Sequence, residues 1–161
     1  SNQMINKKYN GVWFYGISGS GKTIASKYFK KKFKNSLILD GDKIRKHISY
    51  DLGYSIKDRK VQVNRMLGLA KICLESKIFP IISTVYMTRN IKKKLYREKI
   101  CLVQILRDLK KIKNRKKIYN KKMKNVIGVD IKVPQIVGQF NLKNNQSKIN
   151  FHKRLNKLLN G

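Results

Sequence analysis

The sequence predicts an α/β fold, a mostly parallel five-stranded sheet flanked by helices. Three observations carry this. Short apolar runs alternate with longer amphipathic segments, the order that builds parallel sheets through helical crossovers. The first apolar run, Val12-Trp13-Phe14-Tyr15, leads directly into Gly16-Ile17-Ser18-Gly19-Ser20-Gly21-Lys22-Thr23, a complete G-x-x-x-x-G-K-[ST] loop. Behind that loop, Ile24-Ala25-Ser26-Lys27-Tyr28-Phe29 opens a helix. Strand, glycine-rich loop and helix in this order place a pyrophosphate on the positive end of the helix dipole. The predicted architecture is therefore a P-loop NTPase fold.

Taken in order, strands are expected at residues 12–15, 37–39, 79–85 and 102–106, with a fifth between 136 and 142. Each is a short apolar run bounded by polar or turn-forming residues. Helices are expected at 23–34, 43–49, 57–76, 89–98 and 109–114, and a last one from about 146 to 159. Ser55 with Asp58 three residues on forms a capping arrangement for the long central helix. The last helix gathers Phe151, Leu155, Leu158 and Leu159 near one face with lysines opposite, which predicts packing onto the sheet. Residues 110–125 are lysine-dense with few apolar anchors. They read as a mobile segment over the site, a lid at about 110–130.

Length and composition fit one domain, 4–161, able to bury roughly two-thirds of its unfolded surface. A hydrophobic fraction of 41% supports a real core despite the charge. Cys73 and Cys101 lie in apolar stretches without metal-ligand spacing; reduced core thiols in a cytoplasmic protein are expected. No run reaches the length of a membrane span, and no signal-peptide core is visible near the N-terminus. The net charge of +31 comes from 39 Lys and Arg against 8 Asp and Glu. Such a field draws in polyanions. The lysines are spread along the whole chain without aromatic interleaving, which favours compositional drift over a dedicated nucleic-acid surface.

Chemistry concentrates at the loop and the strand ends. Lys22 is placed to neutralise the β- and γ-phosphates of ATP, and the Thr23 hydroxyl to ligate Mg²⁺. The second strand ends in Asp40-Gly41-Asp42, followed by Lys43-Ile44-Arg45. Ligand groups of open parallel sheets gather at such carboxyl ends. Carboxylates there can hold hydrated Mg²⁺ or orient an attacking hydroxyl. Next come Asp51-Leu52-Gly53-Tyr54-Ser55 and Asp58-Arg59. Tyr54 offers an aromatic face for a base, while Arg45 and Arg59 supply forked donors for a phosphate or sulfate.

This ordered series, with Ala70-Lys71 and Lys124-Asn125-Val126-Ile127-Gly128-Val129-Asp130 downstream, resembles adenylylsulfate (APS) kinases across roughly residues 11–135. The resemblance implies transfer of the ATP γ-phosphoryl group to the 3′-hydroxyl of a small anionic nucleotide, with Mg²⁺. It implies that Gly19, Ser20, Gly21, Lys22 and Thr23 hold ATP. Asp42 engages the acceptor hydroxyl as candidate base, and Asp40 supports the metal and its water shell. Arg45 and Arg59 grip the acceptor's anionic groups, and Tyr54 stands where the family has a phenylalanine against the base. Lys116 of the lid, Gln62, Val126 and Ile127 complete the implied acceptor site. The family often dimerises, which makes a second copy of the chain a candidate partner.

Departures from the pattern point at the acceptor. Ile24 replaces a hydroxyl residue after the loop, and Met87 replaces a serine ending the third strand. Lys60-Val61-Gln62 stands where Glu and Asn usually follow Asp58-Arg59, and the lid is shortened to Lys116-Lys117-Ile118-Tyr119. Val126 occupies the place of the family's second aromatic. APS is the default acceptor. A branch similar to these kinases acts on cytidine diphosphoramidate, and Tyr54 with Gln62 suits a pyrimidine at least as well. A polynucleotide kinase or RNA-binding P-loop protein is the third reading, disfavoured by the short lid.

Overall fold

The structure, a computed structural model, describes residues 5–113 and 136–161. Five strands form one sheet: β1 (Gly11–Tyr15), β2 (Ser36–Asp40), β3 (Phe79–Thr84), β4 (Ile100–Leu106) and β5 (Phe140–Lys143). Their spatial order is β2-β3-β1-β4-β5, and all four pairings are parallel. Around them lie α1 (Ile5–Lys8), α2 (Lys22–Lys32), α3 (Gly41–His47), α4 (Ile56–Glu75), α5 (Arg89–Glu98), α6 (Leu109–Lys113) and α7 (Lys148–Asn160). The expected strands and helices are all present. Among the described residues, the one element without a sequence forecast is the short α1, whose Ile5 is fully buried.

Strand β1 explains why its run is unbroken apolar. Val12 and Phe14 face one core, with Phe29 of α2 and Phe151 and Leu155 of α7. Trp13 and Tyr15 face the other, with Val63, Met66 and Ala70 of α4 and Ile91 and Leu95 of α5. A central parallel strand is covered on both faces, so no position can be polar. The amphipathic α7 does pack onto the sheet, with Phe151, Leu155, Leu158 and Leu159 all buried. Among the described residues, no helix is long and apolar enough to cross a membrane. Cys73 and Cys101 are both unpaired thiols in the interior.

The strand order sets the site. From β1 the chain crosses to the far edge at β2, returns to β3, and then passes to the other side of β1 at β4. The connection leaving β1 runs toward β2, while those leaving β3 and β4 run the opposite way; this reversal between the neighbours β1 and β3 opens a crevice at the carboxyl ends. Register places Asp40 beside Ser83 across β2 and β3. Under the crevice, Trp13 Nε1 donates to Thr84 Oγ1 at 2.8 Å, and that hydroxyl donates to the Tyr86 carbonyl at 2.8 Å. Gly16 N donates to the Thr84 carbonyl, so β3 anchors the first residue of the loop.

Candidate active site

Backbone geometry shapes the phosphate loop. Gly19 and Gly21 take φ of 83° and 118°, left-handed values that glycine adopts without steric cost. A Cβ on Gly21 would lie 2.6 Å from Asn144 Nδ2. That amide donates to the Ser20 carbonyl at 2.7 Å, and Arg107 Nη1 donates to the Gly19 carbonyl at 3.2 Å. Lys22 Nζ donates to the Gly16 and Ile17 carbonyls at 2.6 and 3.0 Å. With these carbonyls held by the protein's own donors, the start of α2 is left to present N–H groups to an anion.

The loop borders a cavity of about 320 Å³. Gly19, Gly21, Lys22 and Thr23 form one wall. Asp40, Gly41 and Asp42 from the end of β2, with Ser83, Thr84 and Val85 from the end of β3, form another. Arg107 and Ile112, following β4, complete the lining. Ser20 does not line the cavity: the residue is fully buried beneath the loop. Ile24 reaches the cavity wall, and Met87 is part of the core.

Asp40 has two structural partners. Its Oδ2 accepts from Lys43 N at 3.2 Å, capping α3, and its Oδ1 accepts from Ser83 Oγ at 3.0 Å. An N-cap carboxylate contributes about 1 kcal/mol to its helix. Asp42 lies exposed in the first turn of the same helix, where the helix dipole favours its negative charge. The two carboxylates thus share one wall, with Asp40 fixed and Asp42 open.

Arg45, Tyr54 and Arg59 form a second cluster beyond the cavity lining. The Arg45 guanidinium carbon stands 4.5 Å from the Tyr54 ring centroid and that of Arg59 5.4 Å. Arg45 Nη1 donates to the Gly53 carbonyl at 2.7 Å, and Arg59 Nε to the Tyr54 carbonyl at 2.9 Å. Asp58 Oδ2 accepts from Gly53 N at 2.8 Å, while Ser55 Oγ caps α4 through Asp58 N. The predicted cap therefore exists, but the Asp58 carboxylate reaches the preceding turn. Arg65 forks onto Asp51 with bonds of 2.7 and 2.8 Å, which pulls the Asp51 carboxyl below its ordinary range. Burial of Arg59, then the charge of Arg45 nearby, lowers the Arg59 pKa; two cations this close favour an anion between them.

Gln62 joins the two regions. It is 3% exposed, and its Nε2 donates to the Gly41 carbonyl at 3.2 Å. Its Oε1 is buried without a hydrogen-bond partner among the described residues. Val61 points outward at the surface. Lys116, Val126 and Ile127, like most of the expected lid, lie outside the described residues. Sequence reasoning missed Arg107, Ser83 and Asn144. The strand-end rule reaches Arg107 and Ser83, which lie just after β4 and inside the end of β3. Asn144 follows the short β5 and carries no local signal.

The model of the adenylylsulphate kinase family matches residues 8–134. An adenylyl-sulfate kinase from Clostridium acetobutylicum is 34% identical over 143 residues, covering 80% of this chain and 70% of its own. One from Buchnera aphidicola subsp. Schizaphis graminum is 36% identical over 88 residues, covering 52% of this chain. That match spans only 42% of the Buchnera protein. Among solved structures, the Mycobacterium tuberculosis APS kinase CysC in complex with AMPPNP and APS superposes with a TM-score of 0.83. It covers 96% of this chain and 99% of that one at 21% identity, a likeness of fold. Matched over residues 8–134, a span that takes in the phosphate loop and the Asp-Gly-Asp strand end, the chain belongs to the adenylylsulphate kinase family.

Proposed function

We propose that this chain is an ATP-dependent kinase that transfers the γ-phosphoryl group to the 3′-hydroxyl of a small nucleotide, with APS as the default acceptor. The observation that carries the reading is the shared cavity: a phosphate loop on one wall faces the Asp40 and Asp42 carboxylates on another. In the proposed step, the acceptor oxygen forms a bond to the γ-phosphorus as the bond to the β-bridging oxygen breaks. Asp42 takes the hydroxyl proton and ADP leaves. Lys22 exchanges its two loop carbonyls for phosphate oxygens, a gain because those bonds are charge-assisted on both sides.

Mg²⁺ fits the donor set. Thr23 and Asp40 offer the hard oxygen donors it prefers, and it is held in such sites largely by nucleotide phosphates and water. No group of three or more His, Cys, Asp or Glu occurs among the described residues, so a metal cage made only of protein is not what these residues build. When bound, the ion supplies charge neutralisation across the β- and γ-phosphates. Asp40, already engaged by Ser83 and Lys43, acts by orienting the water shell.

Beyond the cavity, Arg45 and Arg59 take the anionic end of the acceptor and Tyr54 its base. A second reading, 3′-phosphorylation of a cytidine nucleotide such as cytidine diphosphoramidate, has a specific support. Two guanidinium groups already lie against the Tyr54 ring, and a pyrimidine needs less of that ring than a purine. Incubation of a nucleotide panel with ATP and Mg²⁺, following ADP release, separates the two. Turnover with APS is expected, and turnover confined to cytidine acceptors selects the second reading. Lys22→Ala should lower the rate by at least about 100-fold, the scale of losing one preorganised charge donor; unchanged turnover would remove the loop from the mechanism.

A further inference from the structure

The excess of basic charge is not uniform in its consequences. On α5, Arg89, Lys92, Lys93, Tyr96 and Arg97 follow one another at helical spacing of three and four residues, which places them on one face. Ile91 and Leu95, on the opposite side, are fully buried. The basic face lines a groove of about 620 Å³ whose other wall is Ile136 and Val137. Lys92 Nζ donates to the Val137 carbonyl and ties the two walls together. Tyr96 is 75% exposed and Val137 51% exposed. Among the described residues, no acidic side chain lines the groove, and none lines both it and the nucleotide cavity. Glu98, the nearest acid along the helix, pairs with Lys71 of α4 at 3.8 Å.

We propose that this groove binds single-stranded nucleic acid. Cations flanking an exposed aromatic ring supply both parts of such a site, a track for phosphates and a platform on which a base stacks. Residues 89 to 97 rise by about 12 Å along the helix, room for a short stretch of backbone. A single strand fits better than a duplex because its bases are free to reach the ring. An acidic protein would use the charges but has no need of Tyr96 beside an apolar wall. At this face an exposed aromatic ring stands between cations. The assignment stands independently of the kinase reading, since the two cavities are separate.

The test uses the full chain and a short fluorescein-labelled RNA of mixed sequence, with binding read by anisotropy across a salt series. Tyr96→Ala should weaken binding about tenfold, the scale of one base–aromatic stack. The combined variant R89A/K93A/R97A should flatten the slope of log affinity against log salt by about two, as three lost phosphate contacts predict. A charge-matched control, K31A/K153A/K157A on α2 and α7, should leave affinity within about threefold, a loss well short of one phosphate contact. Equal weakening by both triple variants would reduce the effect to diffuse charge and overturn the groove. So would full affinity in Tyr96→Ala, or tighter binding of polyglutamate than of RNA. ADP release by Tyr96→Ala should match the unaltered chain; a chain that binds RNA through this face but turns over no nucleotide would refute only the kinase reading.

Discussion

Asp42 and Arg107 line the same cavity, and the proposed function gives them different work, Asp42 at the acceptor and Arg107 at the donor. Asp42 is exposed at the start of α3, so replacing it removes charge without emptying a buried site. Asp42→Asn should lower kcat by about 10²–10⁴-fold, the usual contribution of a positioned base, with little change in acceptor KM. A rise confined to KM would make it a binding group. Arg107 lines the cavity and donates to the Gly19 carbonyl, which puts a cation beside the phosphate loop, where the proposed function places the ATP phosphates. Arg107→Ala should raise the KM for ATP by about tenfold or more, as the loss of a charged hydrogen bond predicts, and leave the acceptor KM unchanged; steady-state kinetics in both substrates checks this. Cys101 is a residue the chemistry does not use. Burial pushes its thiol up to about 12, so the native chain should resist alkylation there at neutral pH.

At the scale of elements, the loop and its neighbours act as one piece. Gly21 starts α2 in a left-handed conformation and packs against Asn144, after β5, and Phe151 of α7. Gly21→Ala combines a backbone penalty of about 1–2 kcal/mol with a contact too short to keep. It should lower thermal stability and ATP affinity together, measured by calorimetry with and without nucleotide; a loss of affinity alone would mean the loop shifts without disturbing α7. The sheet and the loop were legible in the sequence because β1 is buried on both faces and because only glycine suits the turns behind it. The Ser55 cap of α4 was legible for the same local reason; the Asp40 cap of α3 was not, because the helix was expected to begin at 43 and it begins at Gly41. The Ser83–Asp40 and Asn144–Ser20 contacts were not, since they join residues 43 and 124 positions apart. The Arg45–Tyr54–Arg59 stack was half legible: its members were picked out singly, and the packing of both guanidiniums on one ring depends on how α3 and α4 meet.

Over the whole molecule, 39 basic residues act against 8 acidic ones. Asp40 and Asp42 are therefore set in a strongly positive field, which steers anionic nucleotides toward the crevice. KM values for both substrates should rise with ionic strength while kcat changes little, because long-range attraction is screened within about 8–10 Å at such salt. A kcat that fell in step with affinity would place the salt effect in the chemical step. The most direct measurement follows label from γ-labelled ATP in the presence of APS and Mg²⁺ and locates it in the product. Labelled phosphate on the 3′-hydroxyl of the acceptor is expected, with one ADP formed for each transfer. Label released as free phosphate, with the acceptor unmodified, would contradict it.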